Sequence, residues 1–133
     1  MNSPDEIVRN FIRAHHAWNA RANERAKSLC PGSEADNNAY ALTEVEYDEL
    51  VSLFCASSVN RQGIAFGDNP THDPDKETVE SVKRSGSNAV VRTRHIVRHN
   101  YVSEHEYHLV QEAGEWRIAS VLYLDGCGKY ECL

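Results

Sequence analysis

Residues 89–99 read AVVRTRHIVRH, and the alternation inside this run decides the fold. Successive side chains of a strand point to opposite faces, so Ala89, Val91, Thr93, His95 and Val97 share one face. Val90, Arg92, Arg94, Ile96 and Arg98 share the other. One face is mild and the other strongly basic, as in an antiparallel sheet wetted on a single side. Thr78–Arg84 carries the same period and joins this strand through Ser85-Gly86-Ser87-Asn88, which predicts a hairpin. Tyr101–Gln111, a turn at Glu112-Ala113-Gly114, and Glu115–Leu124 predict a second.

Upstream the period becomes helical. Ile7, Phe11, Ala14 and Trp18 recur on one face, opened by Ser3 with Glu6 as a capping box and by Pro4 at the first helical position. The pattern fades by Lys27 and stops at Cys30-Pro31-Gly32. Residues 31–42 read as polar loop. Thr43 with Glu46 then predicts a second start, with Tyr47, Leu50, Val51 and Phe54 on its apolar face. Gly63 to Pro74 reads as loop with one short strand at Ile64-Ala65-Phe66. Two helices followed by long antiparallel strands predict an α+β architecture in one domain, 1–133.

At 133 residues a core can close without a metal or disulfide. The opening segment lacks a signal peptide's basic start and apolar stretch, and no run is long enough for a membrane span, so a cytosolic protein is expected. Cys30, Cys55, Cys127 and Cys132 fit no zinc spacing and are expected to be structural thiols. The net charge of -6 is unevenly placed: residues 1–80 hold 14 acids and 7 bases, residues 81–133 hold 6 and 7. Glu34, Asp36, Glu44, Glu46, Asp48 and Glu49 crowd into one segment without a base. Such a patch repels nucleic acid and anionic membrane and attracts a basic protein. Four of these acids fall in the first turns predicted for the second helix, where its dipole favours them; Glu34 and Asp36 do not.

Helix, helix, short strand and strand meander is the order of the cone-shaped fold of ketosteroid isomerase and nuclear transport factor two. The segment Tyr107-His108-Leu109-Val110-Gln111-Glu112-Ala113-Gly114-Glu115-Trp116-Arg117-Ile118 resembles that superfamily's last hairpin. The tail Asp125-Gly126-Cys127-Gly128-Lys129-Tyr130 resembles the ending of its bacterial immunity proteins, which neutralise polymorphic toxins. The resemblance implies a strongly curved sheet with helices packed on it. It implies either a toxin inhibitor or an isomerase or dehydratase acting on an apolar ligand in the cone, since one scaffold hosts many functions.

Two sets of residues compete for the functional site. An enzyme would use His95 and His99 with Tyr101, Tyr107 or Tyr123, but Ala89 to Val97 brings no acid to the inward face. No compact Cys/His set suggests a metal, so neither catalytic residues nor a metal or other cofactor are expected. Arg92, Arg94 and Arg98 are expected to pair with Glu104, Glu106 or Glu115 rather than bind nucleic acid. Trp18 and Trp116 are expected core anchors. That leaves Glu34, Asp36, Glu44, Glu46, Asp48 and Glu49 as the partner-binding surface, suited to the basic cleft of a cognate toxin domain.

Overall fold

The computed structural model describes residues 2–96, 101–125 and 127–133. Two helices, α1 (Pro4–Lys27) and α2 (Glu34–Phe54), precede five strands. These are β1 (Glu77–Ser85), β2 (Asn88–Ile96), β3 (Val102–Glu112), β4 (Glu115–Asp125) and β5 (Gly128–Glu131). The sheet is an antiparallel meander in the order β1-β2-β3-β4-β5. Register shifts between Val79 and Ser81 and between His108 and Leu109 mark bulges, which bend a sheet and increase its twist. The expected α+β fold, with helices packed on a curved sheet, is the one observed.

The two hairpins fall where alternation and turn residues put them. In the second, Ala113 and Gly114 both have positive φ, 52° and 80°, as a two-residue turn matched to strand twist requires. Ala89, Val91, Thr93 and His95 on β2 face the core, as do Tyr107 and Leu109 on β3 and Trp116, Ile118 and Val121 on β4. Val8, Phe11, Ile12 and Trp18 of α1 and Tyr47 and Leu50 of α2 complete that core. Trp18 donates its indole N–H to the Thr43 carbonyl at 3.0 Å, tying α1 to α2. Val97, Arg98 and His99, read above as strand, lie outside the described residues.

Four expectations need correction. The second helix begins at Glu34, not near Thr43, because Ser33 caps it by accepting a hydrogen bond from the Asp36 amide at 3.1 Å. Glu34 and Asp36 are therefore first-turn acids, favoured by the helix dipole. Ser3 makes no side-chain cap, and Pro4 opens α1 without it. Ile64-Ala65-Phe66 is not a strand; Ile64 and Phe66 instead pack from a loop against the core. The tail supplies β5, which pairs Leu122 with Glu131 and Tyr123 with Tyr130.

Candidate functional site

The loop between α2 and β1 is strapped onto α1. Asn19 donates to the Gly67 carbonyl at 2.8 Å and accepts from its amide at 3.1 Å, and Asn23 donates to Asp68 at 2.8 Å. This strap drives His72 into the core, where it is 1% exposed. There it meets Glu77, the first residue of β1 and the register partner of His95. Oε1 of Glu77 lies 2.7 Å from Nδ1 of His72; Oε2 accepts from the hydroxyls of Thr93 at 2.5 Å and Tyr107 at 2.6 Å. Nδ1 of His105 stands 3.4 Å from the same Oε2. Burial works to raise the Glu77 pKa, but His72 and His105 outweigh it and hold the carboxyl well below the usual carboxylate range. Burial lowers His72, with the Glu77 carboxylate working against it.

This acid escapes the sequence pattern, because the inward face of β2 carries none and alternation starts β1 at Thr78, one residue too late. In the structure Glu77, Val79 and Ser81 are the less exposed positions at the start of β1, in period two, a face that the residue types Glu, Val and Ser do not mark as inward. Above the buried cluster opens a cavity of about 430 Å³, lined by His16, His95, Ser103, His105, Tyr101 and Tyr123 among others. Tyr101 and Tyr123 join hydroxyls across it at 2.9 Å. Of the enzyme candidates, His95, Tyr101 and Tyr123 do converge here, whereas Tyr107 lies beneath in the buried cluster and His99 is outside the described residues. Beneath the cavity Trp18, Phe11, Tyr107 and His72 are fully buried and fill the core.

The six acids of the 34–49 segment all lie on α2 but divide by role. Glu46 accepts from Arg25 at 2.8 Å and lies 3.7 Å from Arg21, clamping the helices together. Glu44 and Asp48 pair with Arg61 at 3.1 and 2.5 Å, and the Arg61 guanidinium sits over the Tyr47 ring. Asp36 accepts from the Gly32 amide at 3.0 Å. Glu34 and Glu49 are exposed and make no ion pair among the described residues. At helical spacing around Glu49 lie Leu42, Val45 and Leu53, apolar yet 50%, 53% and 68% exposed. Val45, Asp48, Glu49, Ser52 and Leu53 line a shallow groove. The acids were legible in the sequence; the apolar row between them was missed because it lies opposite the Thr43, Tyr47 and Leu50 face that α2 buries.

On the sheet, Arg92 donates to Glu106 at 3.0 Å, directly across the β2–β3 ladder, and Arg94 lies 3.9 Å from Glu80. Arg92 thus pairs with one of the expected acids, whereas Arg94 meets Glu80 of β1 rather than Glu104, Glu106 or Glu115, and Arg98 lies outside the described residues. His108 and Lys129 also reach Glu106, at 2.7 and 3.2 Å, and with Arg92 they outweigh burial and hold its carboxyl down at about 2. Cys30, Cys55 and Cys132 are free thiols; burial pushes Cys55 and Cys132 up to about 12, which keeps them protonated and unreactive. No helix is long and apolar enough to cross a membrane among the described residues.

Two helices on a curved five-strand meander place the chain in the cone-shaped α+β class. The family model for NTF2 fold immunity proteins matches residues 3–129, and the chain belongs to that family. No curated protein and no solved structure matches it.

Proposed function

We propose that this protein binds a cognate secreted toxin domain in the cytosol and neutralises it by non-covalent occlusion, using the outer face of α2. The observation that carries the reading is the row Leu42, Val45 and Leu53 with Glu49 at its centre and Asp48 at its edge. Apolar side chains this exposed on one helix face, with acids among and beside them, suit a partner surface that is apolar at its centre and basic at its margin. Unpaired acids would speed capture of a basic toxin, and the apolar row would hold it. Glu46, Glu44 and Asp48 contribute negative potential while already engaged within the fold.

The test measures binding kinetics to the cognate toxin domain at two salt concentrations. Glu49→Lys should slow association and weaken its salt dependence. Leu53→Asp should speed dissociation, costing about 2 kcal/mol or more if Leu53 is an anchor. Circular dichroism should show both variants folded, because neither side chain is buried. Unchanged kinetics in both would remove α2 as the interface.

A second reading rests on the Glu77–His105 pair beneath the polar cavity. A histidine backed by a carboxylate can take a proton from a small ligand, so an isomerase or dehydratase activity has a physical basis here. Loss of toxin protection in Leu53→Asp with protection kept in His105→Gln favours the inhibitor. The reverse pattern favours chemistry.

A further inference from the structure

The Glu77 carboxylate poses an electrostatic problem that toxin binding does not address. Its side chain is 0% exposed, and an ion cut off from water is strongly disfavoured unless an opposite charge lies beside it. Thr93 and Tyr107 donate hydrogen bonds to it but bring no charge. No Lys or Arg pairs with it among the described residues; the basic side chains that face it are the imidazoles of His72 and His105. A second observation points the same way. Nδ1 of His105 is buried and has no hydrogen-bond partner among the described residues, although it faces the Glu77 carboxylate at 3.4 Å. A buried ring nitrogen left unsatisfied beside a carboxylate is costly as it stands, and both groups would be satisfied by a cation between them.

We propose that His72, Glu77 and His105 form a binding site for a divalent transition metal of the zinc class, at the floor of the cavity. One ligand atom from each lies within 4.8 Å of the other two. Zinc bonds of about 2.0–2.1 Å in tetrahedral geometry set ligand atoms roughly 3.3 Å apart, so modest rotations of the side chains close the set. Two imidazoles and a carboxylate suit zinc or cobalt, whereas magnesium and calcium prefer all-oxygen shells. Thr93 and Tyr107 supply the outer hydrogen bonds that fix a metal-ligating carboxylate. His105 also lines the cavity, so an ion would enter from that side. The site is independent of the α2 surface, so either can fail without the other.

The experiment titrates the chelator-stripped full-length protein with Co²⁺ and then Zn²⁺. One equivalent of Co²⁺ should bind with visible d–d absorption, be displaced by Zn²⁺, and raise the melting temperature where Mg²⁺ and Ca²⁺ do not. His105→Gln should lower affinity at least tenfold. Tyr107→Phe removes only an outer hydroxyl and should weaken binding by about 10–100-fold. His108→Gln and Cys30→Ser, which alter surface donors, should leave uptake unchanged. Failure of the folded wild-type protein to take up either ion overturns the proposal, as does uptake that persists in His105→Gln or carries thiolate charge-transfer bands. Should His105→Gln not fold, undiminished affinity in Tyr107→Phe overturns it.

Discussion

Trp116, Arg117 and Ile118 are consecutive residues that alternate between two destinations. Trp116 is 1% exposed in the core, with the Arg84 guanidinium 5.0 Å above its ring. Arg117 turns the other way and donates to the Leu53 and Ser52 carbonyls at the end of α2, at 2.7 and 3.3 Å. Ile118 returns to the core, and its carbonyl accepts the Ala56 amide at 2.8 Å. Trp116→Ala should therefore cost about 3–5 kcal/mol, because little in a sheet can collapse into so large a void. A chemical denaturation midpoint close to wild type would show that the ring is not a core anchor. The sequence announced Trp116 because a large aromatic inside an alternating run is ordinary core. It did not announce Glu77 or His72, because a buried acid and a buried loop histidine depend on partners distant in the chain. No local pattern encodes the meeting of Thr93, Tyr107 and the strap.

Among the elements, α2 shows where periodicity runs out. Its buried residues are Thr43, Tyr47 and Leu50, so the first turns from Glu34 touch little of the core. A helix segment that buries nothing has no apolar stripe to read, and only Ser33 with its bond to the Asp36 amide marked the true start. The Thr43–Glu46 spacing that looked like a start serves packing instead: both side chains accept from Arg25 of α1, at 2.7 and 2.8 Å. The far end of α2 has no basic residue in its last turn, and Arg117 of β4 supplies that charge. Arg117→Ala should destabilise the protein by about 1–2 kcal/mol through loss of carbonyl bonds and dipole compensation. Urea unfolding monitored by circular dichroism measures it; a change below a few tenths of a kcal/mol would make the contact incidental. The strands were more legible than the helices because their turns carry glycine where positive φ is needed, as at Gly86 and Gly114.

For the molecule as a whole, acid should be the weak point. His15 sits among Phe11, Trp18, Tyr47 and His72, its Nδ1 without a hydrogen-bond partner among the described residues. Burial first, then the nearby His72, His105 and His16, lower its pKa well below 6.5, against the opposing pull of Glu77. A histidine held neutral by the fold favours the folded state fully above its unfolded pKa of about 6.5, and that advantage is lost as the pH falls below it. Each such proton steepens the loss by about 1.4 kcal/mol per pH unit. Glu106, held at about 2, adds a further loss below about pH 4.5, by the same sign. In chelator, the urea midpoint should fall from pH 7.5 to 5.5, and His15→Phe should flatten that fall; equal slopes in the two proteins would exonerate His15. The order of the sheet has a different consequence, one for synthesis. The strands of the meander pair with their neighbours in the chain, so the sheet can zip hairpin by hairpin with small loop-closure cost. The helices are made first and can cover only part of each other until it does. Val8, Phe11 and Trp18 therefore leave the ribosome uncovered, and at about 5–20 residues per second they wait seconds for their partners. A nascent-chain chaperone should bind that stripe and let go only once β4 has emerged.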